Sequence, residues 1–536
     1  MSRDAASRRS SAWLPWAVAI LLAGGAAAWN ASAHGGEVMG PVSDESLLVP
    51  LALRQAGLAS YAGDRWIEAT SGVFSVAYSW IVGTMLRSID DPVVALRWLA
   101  LPFHAVFLAG SWRFTERIAG RAASALATGL LVLAPFGPAC LAAGGALPRD
   151  LVFALVPWFL VALDDLDNRT SWLAPVLFLL LGIVANLHPL TALHLAGLML
   201  LAGLVLDRTA RASRSALVRG AAFLLGASPY VVQYLARSAA PGALDETVYA
   251  WRLGAMAGET IGPWTLRMET LLWTSAAAAV LLFVSRKDGL RLPRWGVRCA
   301  AVALLLAALG PTLGRFVAPL RAFQFGRYER FAEWFAAVLV ATGAVAAIRT
   351  RRFVALAAAA LLLAVAIWGP GLAGGVAGRG PIARLGRSID RRAGVPFEPP
   401  RPAGLASRAA PDPTSPANRE AFLAVCRFAR QSTPEDALFV VPPEHWAPFR
   451  AYACRGALVT RKEGGAALSF LGARGMDWFR DYAGAVGVFA GGGEEDWMSL
   501  AGTGAAYAID DGAAAAPAWT VAFAAGKFRV LAAPRK

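Results

Sequence analysis

Charge is scarce in this chain: Asp, Glu, Lys and Arg make up 16% of its 536 residues, against 57% hydrophobic. That balance excludes an intrinsically disordered chain, which needs the reverse. Lysine is nearly missing, at Lys287, Lys462, Lys527 and Lys536 only, so the positive charge is almost all arginine. Cysteine is limited to Cys140, Cys299, Cys426 and Cys454, with no C-x-x-C spacing and no histidine beside them, which argues against a zinc or iron–sulfur site. A phosphate loop is also missing. The Gly-rich Ala490-Gly491-Gly492-Gly493 lacks the Lys-Ser/Thr that such a loop needs and reads as a flexible turn.

What the chain does have is a series of apolar blocks about 17 to 22 residues long, the length that crosses a hydrocarbon core. Its mean hydropathy is +0.50. A net charge of +15 would point to nucleic acid in a soluble protein. Here the arginines fall largely in short loops between apolar blocks, and no basic stripe interleaves with aromatics as a nucleic-acid groove requires. The expected fold class is therefore a mostly α polytopic membrane protein of about eleven transmembrane helices, with a small C-terminal α/β domain. The blocks fall at 12–29, 93–111, 122–143, 150–163, 171–186, 190–206, 217–236, 268–285, 299–316, 333–348 and 353–371.

Short basic loops alternate with less basic ones, and the positive-inside rule puts the N-terminus in the cytoplasm. An odd number of spans then places the C-terminal segment in the periplasm of a bacterial inner membrane. Arg3, Arg8 and Arg9, the apolar run from Ala12 and the segment Ala31-Ser32-Ala33 also fit a cleaved signal peptide, which leaves the next loop on the same outer face. The expected domains are a transmembrane part, 1–371, with a long first outer loop at 30–92; a linker rich in Pro and Arg, 372–415; and a periplasmic α/β domain, 416–536. The apolar piece Ser71 to Leu86 reads as an interfacial or re-entrant helix. In the last domain, 418–431 has helical spacing, and 437–441, 457–460, 505–509, 519–523 and 528–531 read as strands, the last two as a hairpin. Cys426 and Cys454, the two cysteines of that domain, are either a disulfide or two buried thiols.

Three groups could carry chemistry. Ser43-Asp44-Glu45 follows the first span, where a carboxylate could deprotonate an acceptor or hold a divalent metal, Mg or Mn, beside a lipid phosphate. Two adjacent acids in a loop also fit a solvated surface. Arg321, Arg327 and Arg330 crowd a short outer loop among Phe323, Phe325, Tyr328, Phe331 and Trp334. Arginine forks match phosphate oxygens bidentately, although pairing with Glu329 and Glu333 is the bland reading. His188, in Asn186-Leu187-His188-Pro189, sits at an outer span end and could bind a sugar phosphate or shuttle a proton, or else simply cap a helix. Arg149-Asp150 reads as a local ion pair, His104 as a packing residue, and Pro442-Pro443-Glu444-His445-Trp446 as a loop after a strand.

One span, a long outer loop opening on Asp44-Glu45, many further spans with His188-Pro189 and the Arg327/Arg330 loop, and an outer α/β domain together resemble the GT-C superfamily of integral-membrane glycosyltransferases. The C-terminal domain carries no oligosaccharyltransferase signature; Thr433 to Phe439 with Phe449-Arg450 looks more like bacterial GT-C-like membrane proteins. The resemblance implies transfer of a sugar from a polyprenyl-phosphate donor to a glycan, lipid or protein acceptor on the outer face. Asp44, Glu45 and His188 would be catalytic, and Arg321, Arg327 and Arg330 would hold phosphate. The alternative is a non-catalytic scaffold or partner-binding protein of the same architecture. A transporter would need charges paired inside spans and broken helices in related halves, which the sequence does not offer. Membrane lipids are the other implied partner; no protein partner can be read.

Overall fold

The computed structural model describes residues 16–22, 25, 39, 44–71, 73–133, 146–167, 172–206, 210–237, 248, 266–285, 298–307, 325–372, 411–471, 473–510 and 518–534. The described residues are mostly helical, with one small sheet near the C-terminus. It divides into two compact units. Unit 1 takes residues 1–32, 100–229 and 254–398; unit 2 takes 33–99, 230–253 and 399–536.

Among the described residues three helices are long and apolar enough to cross a membrane by length and composition: Pro92–Ala119, Arg214–Leu235 and Glu329–Arg349. Shorter apolar helices, Leu173–Ala185 and Pro189–Leu204 among them, lie where further spans are expected. The block expected at 150–163 is instead two helices, Pro148–Ala154 and Val156–Asp167, interrupted at Leu155. Pro157 explains the break, because it has no N–H to extend the first helix and is tolerated only in the first turn of the next. Parts of the blocks expected at 12–29, 122–143 and 299–316 lie outside the described residues.

Unit 1 is packed as membrane helices pack, with small residues where backbones approach. A Cβ on Gly182 would lie 2.1 Å from the carbonyl oxygen of Phe223, and one on Gly226 would lie 2.2 Å from that of Leu179. The helices Leu173–Ala185 and Ala210–Arg237 can therefore cross only through this pair of glycines. Gly343 plays the same part against Leu281, whose Cβ would be 2.6 Å from an added methyl. Aromatic side chains fill the rest of the core: Phe114 packs on Trp334, and Phe153 on Phe331, with ring centroids 4.9 and 5.0 Å apart.

Unit 2 holds a five-stranded sheet in the order β2-β1-β3-β5-β4, with β1 Leu438–Val440, β2 Gly456–Ala457, β3 Tyr507–Asp510, β4 Thr520–Ala525 and β5 Phe528–Ala532. β1 pairs in parallel with β2 and β3, while β5 runs antiparallel to β3 and β4. Alternate residues serve opposite faces. Phe439, Ile509 and Val530 join the core under the helix Arg419–Ser432, which contributes Phe422, Val425, Cys426 and Ala429 at helical spacing. Leu438, Val440 and Leu531 face Trp497 and Phe489 on the other side. Cys426 and Cys454 are buried free thiols.

The same unit contains the chain from Asp44 to Leu86, folded as the helices Glu45–Gln55, Arg65–Thr70 and Val76–Leu86. Trp66 and Val73 enter a core with Val459, Leu468, Trp478 and Tyr482, so the early segment and the C-terminal domain share buried surface. Gly83 lets the first and third of these helices touch, since a Cβ there would meet the carbonyl oxygen of Ala52 at 2.9 Å.

Candidate functional site

In unit 1 the turn between Leu173–Ala185 and Pro189–Leu206 is set by two polar side chains. Asn186 closes the first helix and donates through Nδ2 to the carbonyls of Ile183, at 2.9 Å, and Gly226, at 3.2 Å. His188 opens the second. Pro189 follows it at the first helical position, where a missing N–H costs nothing. The Nδ1 of His188 accepts the backbone N–H of Thr191 at 3.2 Å and lies 2.8 Å from its hydroxyl, so the ring caps the helix as Ser or Asp would elsewhere. With Nδ1 accepting, the proton of the neutral ring sits on Nε2.

Three arginines act electrostatically on this half-buried ring. Burial, then the charges of Arg327, Arg149 and Arg330, hold the His188 imidazole well below its ordinary pKa of 6.5. The ring lies in the turn, outside both helices, and is neutral at pH 7. The arginines arrive on two further elements. Arg149 and Asp150 open the helix Pro148–Ala154, where Asp150 accepts the N–H of Leu147 at 3.3 Å. Arg327 and Arg330 lie on the turn Phe325–Tyr328 and the start of Glu329–Arg349. Buried aromatics between them fix the register: Tyr328 packs on His194, 4.6 Å between centroids, and Phe331 on Phe153. The Asp150 carboxylate stands between two guanidinium groups, 3.8 Å from Arg149 Nε and 3.8 Å from Arg330 Nη1.

Sequence reasoning placed Arg327, Arg330 and His188 as phosphate-binding or catalytic residues, and the structure brings these three into one electrostatic neighbourhood. Arg149 belongs to it as well, although its neighbour Asp150 makes it read as half of a local pair. Arg321 lies outside the described residues.

Asp44 and Glu45 are in unit 2. Asp44 precedes the helix Glu45–Gln55, its backbone oxygen accepting from Leu47 and Leu48, but its side chain makes no cap bond. Its Oδ1 is instead 2.6 Å from Lys462 Nζ, with Asp44 partly exposed and Lys462 largely covered. Glu45 is buried at 4% exposure.

Lys462 sits on the turn Thr460–Glu463, and this turn rests on a buried ion cluster that sequence reasoning missed. Arg450, 1% exposed, donates to both oxygens of Asp64 at 2.6 and 3.3 Å, to Glu463 at 2.9 Å, to Thr460 at 3.3 Å and to the carbonyl of Ala457 at 2.8 Å. Burial alone would lower the pKa of this guanidinium; the two carboxylates outweigh it, and the net direction is upward. Asp64 also caps the helix Arg65–Thr70 through Trp66 and Ile67, and accepts the N–H of Ala457. Outside the cluster, Arg461 reaches Glu444 at 2.8 Å, and Glu444 accepts from the Tyr482 hydroxyl. Glu444 is thereby a fully engaged structural carboxylate.

A divalent metal at Asp44 would need further oxygen or nitrogen ligands. Among the described residues no group of three His, Cys, Asp or Glu side chains could hold one, and the position beside Asp44 Oδ1 belongs to an ammonium. Among the described residues, those at Asp44 do not fit a divalent metal.

The family described as Domain of unknown function (DUF6798) matches residues 420–482, the stretch that carries Arg450, Lys462 and Glu463. No curated protein sequence matches the chain. Two solved structures of the Archaeoglobus fulgidus oligosaccharyltransferase are similar in outline. One, tethered to an acceptor peptide containing the NVT sequon, shares 11% identity over 87% of this chain and 68% of that chain, with a TM-score of 0.43. The other, in complex with Zn and sulfate, shares 12% identity over the same fractions, with a TM-score of 0.42. A likeness of that size carries no residue-level correspondence.

Proposed function

We propose that the chain is a membrane glycosyltransferase of GT-C type, moving a sugar from a polyprenyl-phosphate donor to a glycan, lipid or protein acceptor at the outer face of a bacterial inner membrane. The observation that supports this reading best is the meeting of Arg149 and Arg330 at Asp150, with both and Arg327 acting electrostatically on a neutral His188. Three guanidinium groups at a helix boundary suit the oxygens of a phosphate, and a neutral imidazole with its proton on Nε2 adds a donor without adding charge. In the proposed reaction the acceptor hydroxyl or amide attacks the anomeric carbon and the bond from that carbon to the donor phosphate breaks. The acceptor's proton passes to a base, the role proposed for Asp44 from its place in the sequence, and the released polyprenyl phosphate keeps the bonding electron pair. The arginines lower the barrier by neutralising the leaving phosphate.

The test of the phosphate site uses a polyprenyl phosphate as probe, with the matching neutral polyprenol as reference. Purified full-length protein should retain the phosphate in preference to the alcohol by native mass spectrometry. Arg327→Ala and Arg149→Ala should each weaken that preference by roughly tenfold to a hundredfold, the value of one charged hydrogen bond. Equal retention of phosphate and alcohol, or variants that bind as well as the native chain, would remove the site. The scaffold reading draws on the pairing of charges within unit 2, and it expects both variants to be silent.

A further inference from the structure

Lys462 is one of four lysines in a chain with 51 basic residues, and unit 2 delivers it to a single place. Its turn is pinned from the inside. Glu463, 1% exposed, takes the N–H of Thr460 at 2.7 Å and the Nη2 of Arg450 at 2.9 Å, while Arg450 is itself locked on Asp64. On one side Arg461 leaves the turn for Glu444. Lys462 leaves it with its side chain 17% exposed and its Nζ 2.6 Å from Asp44 Oδ1. A lysine on an open surface gives up about as much entropy in holding an ion pair as the pair returns. Here the packing has already ordered the stem, so that entropy is not lost a second time when the pair forms. Asp44, for its part, makes no bond to the N–H groups of the helix it precedes.

We propose that Lys462 is a positioning residue for Asp44: its ammonium is the resident cation of that carboxylate, standing where a divalent metal would otherwise have to sit. The role in transfer rests on Asp44 being the reactive carboxylate proposed above, whereas the pairing does not. With Oδ1 held by Lys462, the carboxylate is fixed in direction. The buried Asp64–Arg450–Glu463 cluster acts at one remove, by holding the turn.

The scarcity of lysine makes the pair measurable. Full-length protein is acylated with an N-hydroxysuccinimide ester and read by mass spectrometry at each lysine, with the exposed Lys527 as internal reference. Lys462 should react several-fold more slowly than Lys527. Asp44→Asn should raise the Lys462 rate about fivefold, the scale of one ion pair, and leave Lys527 unchanged. Millimolar Mn²⁺ should leave Lys462 protected. Equal Lys462 rates in the native chain and Asp44→Asn would overturn the pairing. Release of Lys462 by Mn²⁺ would show that a metal takes the carboxylate, and would overturn the resident-cation role. In a product assay Lys462→Arg should preserve transfer and Lys462→Met should abolish it; equal behaviour of the two would overturn the positioning role. Acylation does not depend on transfer, so a silent Asp44→Asn in the product assay with acylation as expected would point to failure of the transferase reading alone.

Discussion

Arg450 shows how much one side chain decides in unit 2. Its guanidinium reaches Asp64, Thr460, Glu463 and the carbonyl of Ala457, and its carbonyl accepts the hydroxyl of Tyr61 at 2.8 Å. Replacing it by Met would leave two buried carboxylates facing each other without a cation. Arg450→Met is expected to cost about 3–5 kcal/mol, read as a fall in the melting temperature of purified protein and as early proteolysis between residues 411 and 534. Asp64→Ala removes a cap as well as a charge and should be as damaging. His188 gives a pH dependence whose sign is fixed by its environment. Its folded pKa is depressed below 6.5, so the stability it contributes is fully present above 6.5 and is lost as the pH falls from 6.5 toward the folded value. Thermal unfolding measured from pH 7.5 to pH 5 should show this loss. His188→Asn, which keeps an acceptor for the Thr191 N–H, should flatten the curve over that window; an unchanged curve would place the proton elsewhere.

At the scale of elements, much was legible because local pattern and local structure agree. The helical spacing of Phe422, Val425 and Ala429 predicts the helix found at Arg419–Ser432, and the Ala-Ala-Gly-Lys between two β-rich runs predicts the β4–β5 hairpin. Elements fixed by distant partners were not legible. Strand β2, expected at 457–460, is only Gly456–Ala457, an extent set by pairing with β1, and nothing in Asp64-Arg65 announces a bond to Arg450 almost four hundred positions away. The division at Leu155 was signalled by Pro157, but the apolar run on both sides conceals it. Small residues are the other feature that a hydropathy pattern passes over. Gly182 and Gly226 read as ordinary apolar positions, yet they set the crossing of two helices. Gly182→Val should push the backbones apart and lower the melting temperature by several degrees or abolish stable insertion, whereas Gly203→Ala, with nothing within 4 Å, should be tolerated.

For the molecule as a whole, sequence and structure together give a helical membrane protein with an α/β unit into which the early segment 44–86 is folded. Arg327 and Arg330 share a loop in the sequence, and one site joining them with His188 and Asp44 is an expectation from loops that face the same side. Arg149 was obscured by its acidic neighbour, and Lys462 by its place between Arg461 and Glu463. The central claim is catalysis, and it is tested most directly in a deletion strain complemented with the native gene, with Asp44→Asn or with Arg327→Ala, by mass spectrometry of its glycans and glycolipids. The account predicts that one glycosylated product disappears on deletion and returns with the native chain. Neither variant should restore it, although both should be present in the membrane at native levels. Full restoration of that product by Asp44→Asn, with Glu45→Gln silent as well, would contradict the account.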